Sequence, residues 1–180
     1  PEKSYGRIKG DFGNFGVNVR AYNYIRAMGP EGLRRASEDA VLNANYLRVR
    51  VKDHFVAPFD RFNKNDFVLD LTNFKKEYDV VAKDVGKRLL DYGVHAPTTY
   101  FPLIIQECLM VEPTDTESKR DLDYTADVFI KIAEEIKDDP ELVKTAPHNT
   151  PVRRIDEAQT SRKPILKYNF EDHESPADSK

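Results

Sequence analysis

The chain has a single cysteine, Cys108, among 180 residues, so no internal disulfide can staple it. A reducing compartment, the cytoplasm, is the expected setting. Cys108 lies inside an apolar run, where a buried and unreactive thiol is expected. No stretch of ~18 consecutive apolar residues occurs, which excludes a membrane-crossing helix. The start of the chain shows no signal-peptide pattern. Positive charge is not in excess: 28 Lys and Arg face 31 Asp and Glu, for a net charge of −3. That balance gives no basic footprint, so nucleic acid is not an expected partner. The four histidines, His54, His95, His148 and His173, have no metal-ligand spacing, and no metal is expected. No Ser/His/Asp or Cys/His arrangement can be read from spacing, and there is no internal repeat.

A chain of this length buries ~70% of its unfolded surface and can hold a core without staples. Residues 1–16 are Gly-rich and irregular. Val17, Ala21, Tyr24, Ile25 and Met28 then repeat at helical spacing, up to a stop at Gly29. Pro30 suits the first turn of a second helix, which runs to about Asp53. Its apolar stripe is Leu33, Ala36, Ala40, Ala44, Leu47 and Val51. His54 to Asp60 and Asp66 to Leu71 read as strands, joined by a turn at Asn63-Lys64-Asn65. Thr72 to Val80 is a connection with a helical turn. Val81, Val85, Leu89 and Tyr92 mark a third helix, ended by Gly93. Leu122, Ala126, Phe129, Ile130, Ala133 and Ile136 mark a fourth, over about Asp115 to Lys137, and Pro140 to Thr145 adds a short turn. This order predicts an α+β fold, a small antiparallel sheet packed on helices.

The stretch His95–Lys119 organises the chain. Pro97 and Pro102 push Ala96 and Phe101 towards extended conformations. The apolar run Leu103–Val111 reads as a strand, and Thr114 and Glu117 have the T-x-x-E spacing of a capping box at the start of the fourth helix. Extended segments beside a helix N-terminus suit the wall of a binding site, because such termini attract anions. From Ala146 the pattern changes to a polar, basic, Pro-punctuated stretch, expected to be an extended arm over residues 146–169. Residues 170–180 are acidic and expected to be disordered.

Five blocks carry a resemblance: Gly13–Arg26 (G-N-F-G-V-x-V-R-A-Y-x-Y-I-R), Leu89–Thr98 (L-L-D-Y-G-x-H-A-P-T), Leu109–Lys119 (L-M-V-E-P-T-x-T-E-S-K), Ala146–Glu157 (A-P-H-x-T-P-V-R-R-I-D-E) and Arg162–Tyr168 (R-K-P-I-L-K-Y). Together they resemble the C-terminal part of glycine dehydrogenase (decarboxylating), the P-protein of the glycine cleavage system. They are most like the second subunit of its two-subunit form. The resemblance implies a fragment: residues 1–16 a linker from a missing large domain, 17–145 the C-terminal small domain of a fold-type-I pyridoxal-phosphate enzyme. It implies pyridoxal phosphate as cofactor and glycine as substrate. The implied partners are the missing large domain, the other P-protein subunit and the lipoyl arm of the H-protein.

Two groups of residues are candidates for the site. His95, Thr98 and Thr99 would form a cofactor-facing cleft wall; the structural alternatives are a loop histidine holding a backbone carbonyl, and threonines filling strand positions. His148, Arg153 and Arg154 would bind substrate, since arginine holds carboxylate or phosphate bidentately. The alternative is a surface arm tied down by salt bridges. Pyridoxal chemistry needs a Schiff-base lysine, which in this family follows a histidine near a Gly-rich loop. The chain has no His-Lys pair, so no catalytic residue is assigned, and the fragment is expected to be inactive alone. Two rival readings remain, the small domain of another such enzyme, an aminotransferase for instance, and a non-enzymatic interaction module.

Overall fold

The computed structural model describes residues 2–6, 13–59 and 61–167. The acidic tail and part of the Gly-rich start lie outside the described residues. The chain opens with α1, Phe15–Val51, capped by Asn14, whose side chain accepts from the Val17 N–H. Gly29 interrupts it with φ 63° and ψ −179°, a backbone region open almost only to glycine. Pro30 then restarts the helix, so the stop and restart read from the sequence are one kinked element. β1 (Phe67–Asp70), α2 (Thr72–Tyr78), α3 (Ala82–Asp91), β2 (Thr98–Thr99), β3 (Cys108–Val111), α4 (Lys119–Asp138), α5 (Pro140–Lys144) and α6 (Glu157–Arg162) follow.

The three strands form one antiparallel sheet in the order β1-β3-β2. Leu69 pairs with Leu109, and Thr99 pairs with Leu109 from the other side. Alternation puts Phe67 and Leu69 on the core face of β1, and both are buried. α1 rests on β1, α3 on β2 and β3, and α4 packs against α1, α2, α3 and α5. The core runs through Leu47, Val51, Val85, Leu89, Phe129, Ile132, Ile136 and Val143. The architecture is therefore α+β, with a small antiparallel sheet on helices.

Four local expectations are corrected. The arm is not extended throughout: Asp156 accepts from the Gln159 N–H and caps α6 within it. His54–Phe59, the described part of the first expected strand, is a turn: among the described residues only Val56 bridges, to Asp70. Phe55 turns inward, edge-on to Phe74 and Phe129 at 5.5 and 5.7 Å between ring centroids, and Pro58 has no N–H to give a ladder. The apolar run Leu103–Val111 pairs only from Cys108 onward. Leu103 and Ile104 instead form an exposed loop, closed by a bond from the Ile105 N–H to the Pro102 carbonyl, 3.1 Å. Thr114 is not the cap of α4. Ser118 is, its Oγ accepting from the Asp121 N–H at 3.2 Å and donating to Asp121 Oδ2 at 2.5 Å. The helix thus starts four residues later than its T-x-x-E spacing suggested, because an S-x-x-D pair supplies the same chemistry. Cys108 is fully buried, and burial pushes its thiol up.

Candidate functional site

His95 stands at the mouth of a cleft of about 610 Å³ between α4, the end of α3 and the β3–α4 connection. α3 ends in a helix-terminating turn: the Gly93 N–H donates to Leu90 and the Val94 N–H to Leu89, with Gly93 at φ 70°. This turn throws His95 and Pro97 onto the rim. Leu47, Val111, Leu122 and Phe129 line the floor. Asn43 Nδ2 holds the opposite wall, donating to the carbonyls of Thr114 (2.9 Å) and Glu117 (3.3 Å). Tyr124 Oη donates to the Tyr92 carbonyl at 2.8 Å and closes one end.

Among the described residues, the acidic groups of this cleft are Glu112, Glu117 and Asp121, and no lysine or arginine lines it. Glu112 accepts from Asn65 Nδ2 at 2.6 Å, and Asp121 is engaged by Ser118. A phosphate or carboxylate there would meet like charge and no cation. The cleft of this chain therefore does not, by itself, fit pyridoxal phosphate. Thr98 and Thr99 do not line it. They form β2, the sheet edge, with Thr99 lying against α3 near Gly86.

The second group comes together elsewhere, on α3. Asp91 Oδ1 accepts the N–H groups of His148 (2.5 Å) and Asn149 (2.7 Å), while Asp91 Oδ2 takes Arg88 Nη1 at 2.9 Å. Arg88 also pairs with Glu135 of α4, Nε to Oε2 2.9 Å and Nη2 to Oε1 3.0 Å, and Tyr92 donates to the same carboxylate. Burial pushes the Asp91 carboxyl up, but the two N–H donors and Arg88 outweigh it and hold it below its ordinary value. Glu135 behaves likewise: burial raises it, and Arg88 and Tyr92 bring it down further. The imidazole Nε2 of His148 lies 3.2 Å from Thr145 Oγ1.

Arg154 turns back into the domain. Its Nε donates to the Ala146 carbonyl at 2.6 Å, and Nη2 meets Asp84 Oδ1 at 2.8 Å. Asp84 Oδ2 in turn accepts from the Val81 N–H, and Glu107 Oε2 from the Ala82 N–H, so two carboxylates sit at the positive end of α3. Among the described residues Arg153 reaches the His148 carbonyl alone, at 3.4 Å, and is exposed. His148, Arg153 and Arg154 are thus one cluster, separate from the His95 cleft. The sequence reading missed its anchors Asp84, Arg88, Asp91, Glu107 and Glu135. One signal was available: Asp91 is an acid in the last turn of a helix, against the dipole, which calls for a tertiary partner.

Residues 36–154 match the family model for the glycine dehydrogenase C-terminal domain. The chain belongs to that family. It is 53% identical over 93% of its length to a probable glycine dehydrogenase (decarboxylating) subunit 2 of Staphylococcus haemolyticus, and covers 34% of that protein. The corresponding Staphylococcus epidermidis protein is 54% identical over 92% of the chain, with 33% of its own length covered. A Bacillus cytotoxicus relative is 53% identical over 92% of the chain. The chain thus spans about a third of the length of the curated relatives it matches. Among the described residues of this glycine dehydrogenase C-terminal domain, polar side chains gather in the acidic cleft, in the α3 cluster and where Tyr46 and Arg50 of α1 meet Asp123 and Asp127 of α4. Among the described residues no group of three His, Cys, Asp or Glu is placed to hold a metal, and no helix is long and apolar enough to cross a membrane.

Proposed function

We propose that the chain is the C-terminal small domain of subunit 2 of a two-subunit glycine dehydrogenase (decarboxylating), a fold-type-I enzyme of the cytoplasm. The parent enzyme removes the glycine carboxylate as CO2 and passes the aminomethyl group to the lipoyl arm of the H-protein. The match at about half identity along nearly the whole chain carries this reading. Pyridoxal phosphate is the parent's cofactor, carried on a lysine outside this chain; the acidic cleft described above does not hold it alone. In this reading His95, Thr98 and Thr99 belong to the surface that closes over the large domain. His148, Arg153 and Arg154 form the substrate side of the arm. Arg153 is the arginine of that trio that bonds a carbonyl, where Arg154 meets the Asp84 carboxylate. Asp91 and Asp84 position the arm by fixing its start and Arg154 on α3.

The experiment is exchange of labelled bicarbonate into the glycine carboxyl. The parent subunit, with its partner subunit and H-protein, is expected to catalyse it, and the 180-residue chain alone is not. A cofactor-derived visible absorption on the isolated chain, abolished by borohydride, would contradict the assignment.

A further inference from the structure

The N-terminal half of α1 takes no part in this domain's core. Residues 15–27 are exposed without a break, and burial in α1 begins only at Asn43. Yet this half is apolar. Phe15 is 81% exposed, Tyr22 63%, Val17 55% and Tyr24 52%. At 100° per residue, Phe15, Val19 and Tyr22 fall on one side of the helix, and Val17, Ala21, Tyr24 and Met28 fall on the opposite side. A surface helix has one apolar stripe; two opposed stripes mark a helix covered from both sides. Three boundaries separate this half from the domain. The helix breaks at Gly29, the family model begins at residue 36, and the buried positions begin later still. The relatives are about three times as long as this chain, and the matched family is the C-terminal domain of its protein, so their remaining length precedes it.

We propose that Phe15–Met28 is a strut that docks between two apolar surfaces of the N-terminal portion of the parent subunit, with Gly29 as its joint to the C-terminal domain. This rests on the functional reading above, in which that portion exists. Arg20 and Arg26 are the strut's cations, and its groove is expected to offer carboxylates to them.

The test is amide hydrogen exchange over residues 17–28, measured in the 180-residue chain and in the parent subunit, each over a range of concentration. The strut predicts exchange at least ~10-fold slower in the parent than in the chain. Tyr22→Asp with Tyr24→Asp is expected to leave melting of the chain unchanged and to abolish the protection in the parent. Equal exchange in both proteins would overturn the proposal. Protection that appears in the chain alone and grows with its concentration would give the surface to a second copy, and would also overturn it. Bicarbonate exchange measured on the same parent sample separates the two claims: a glycine-active parent with an unprotected helix defeats the strut alone. A protected helix in a parent inert towards glycine supports the strut and defeats the functional reading.

Discussion

Arg154 and Asp84 meet at 2.8 Å although β2, β3, α4 and α5 lie between them in sequence. Asp84 is almost fully buried and also accepts the Val81 N–H. The contact therefore joins the arm to the start of α3, and the basic run at 153–154 is not a uniform surface patch. Arg154→Ala leaves a buried carboxylate short of one partner. It is expected to destabilise the isolated chain by about 1–3 kcal/mol. Arg153→Ala, at an exposed position, is expected to stay within about 0.5 kcal/mol. Thermal melting of both variants checks this; equal melting would mean that Arg154 contributes nothing to the fold.

Asp91 and Glu135 make the fold sensitive to acid. Both carboxyls are held below their ordinary values in the folded chain. A carboxyl depressed on folding contributes stability that is fully present above its unfolded value, about 4. That stability is lost as pH falls through the lower, folded value. Unfolding by urea at a series of pH values is expected to show a steep loss below about pH 4. Asp91→Asn is expected to make that acid limb shallower and to lower stability at neutral pH, since Arg88 loses one of its two carboxylates. An acid limb unchanged in the variant would show that the cluster does not carry the effect.

Ser118→Ala is expected to cost about 1 kcal/mol through the lost cap of α4. Thr114→Ala is expected to cost less, because among the described residues the Thr114 hydroxyl bonds Thr116 Oγ1 alone, at 2.7 Å on an exposed loop. Melting of the two single variants decides between Ser118 and Thr114 as the cap.

Cys108 is fully buried on β3, its Sγ facing the Ile105 carbonyl at 3.3 Å. Burial raises its thiol and leaves little thiolate to react. Alkylation at pH 8 is expected to be slow in the folded chain and rapid in denaturant. Rapid labelling of the folded chain would mean that β3 opens readily.

α1, α3 and α4 were legible because each carries a stripe with members that end up buried; α6, which buries none, was not. Val85 and Leu89 of α3, Leu122, Ala126 and Phe129 of α4, and Leu47 and Val51 of α1 all end up buried. β1 was legible by its alternation. Apolar runs without periodicity misled: Leu103 and Ile104 look like strand but stand in solvent, because hydrophobicity alone does not say which face finds a partner. The same holds for Val17, Tyr24 and Ile25, which have a helix's spacing and no core to meet. The cap of α4 was read four residues too early, at Thr114, because the S-x-x-D pair at Ser118 and Asp121 that supplies the same chemistry was overlooked. The helix stop at Gly93, just before His95, was legible. The α3 cluster was not, because the Arg88–Glu135 and Arg154–Asp84 pairs join residues far apart in the chain.

The most direct test of the account is bicarbonate exchange by the parent subunit, assembled with its partner subunit and H-protein, with and without this domain. The account predicts glycine-specific exchange that deletion of the domain abolishes, and that adding the separate 180-residue chain to the intact enzyme does not raise. Exchange that survives the deletion, or an intact parent inert towards glycine, would contradict it.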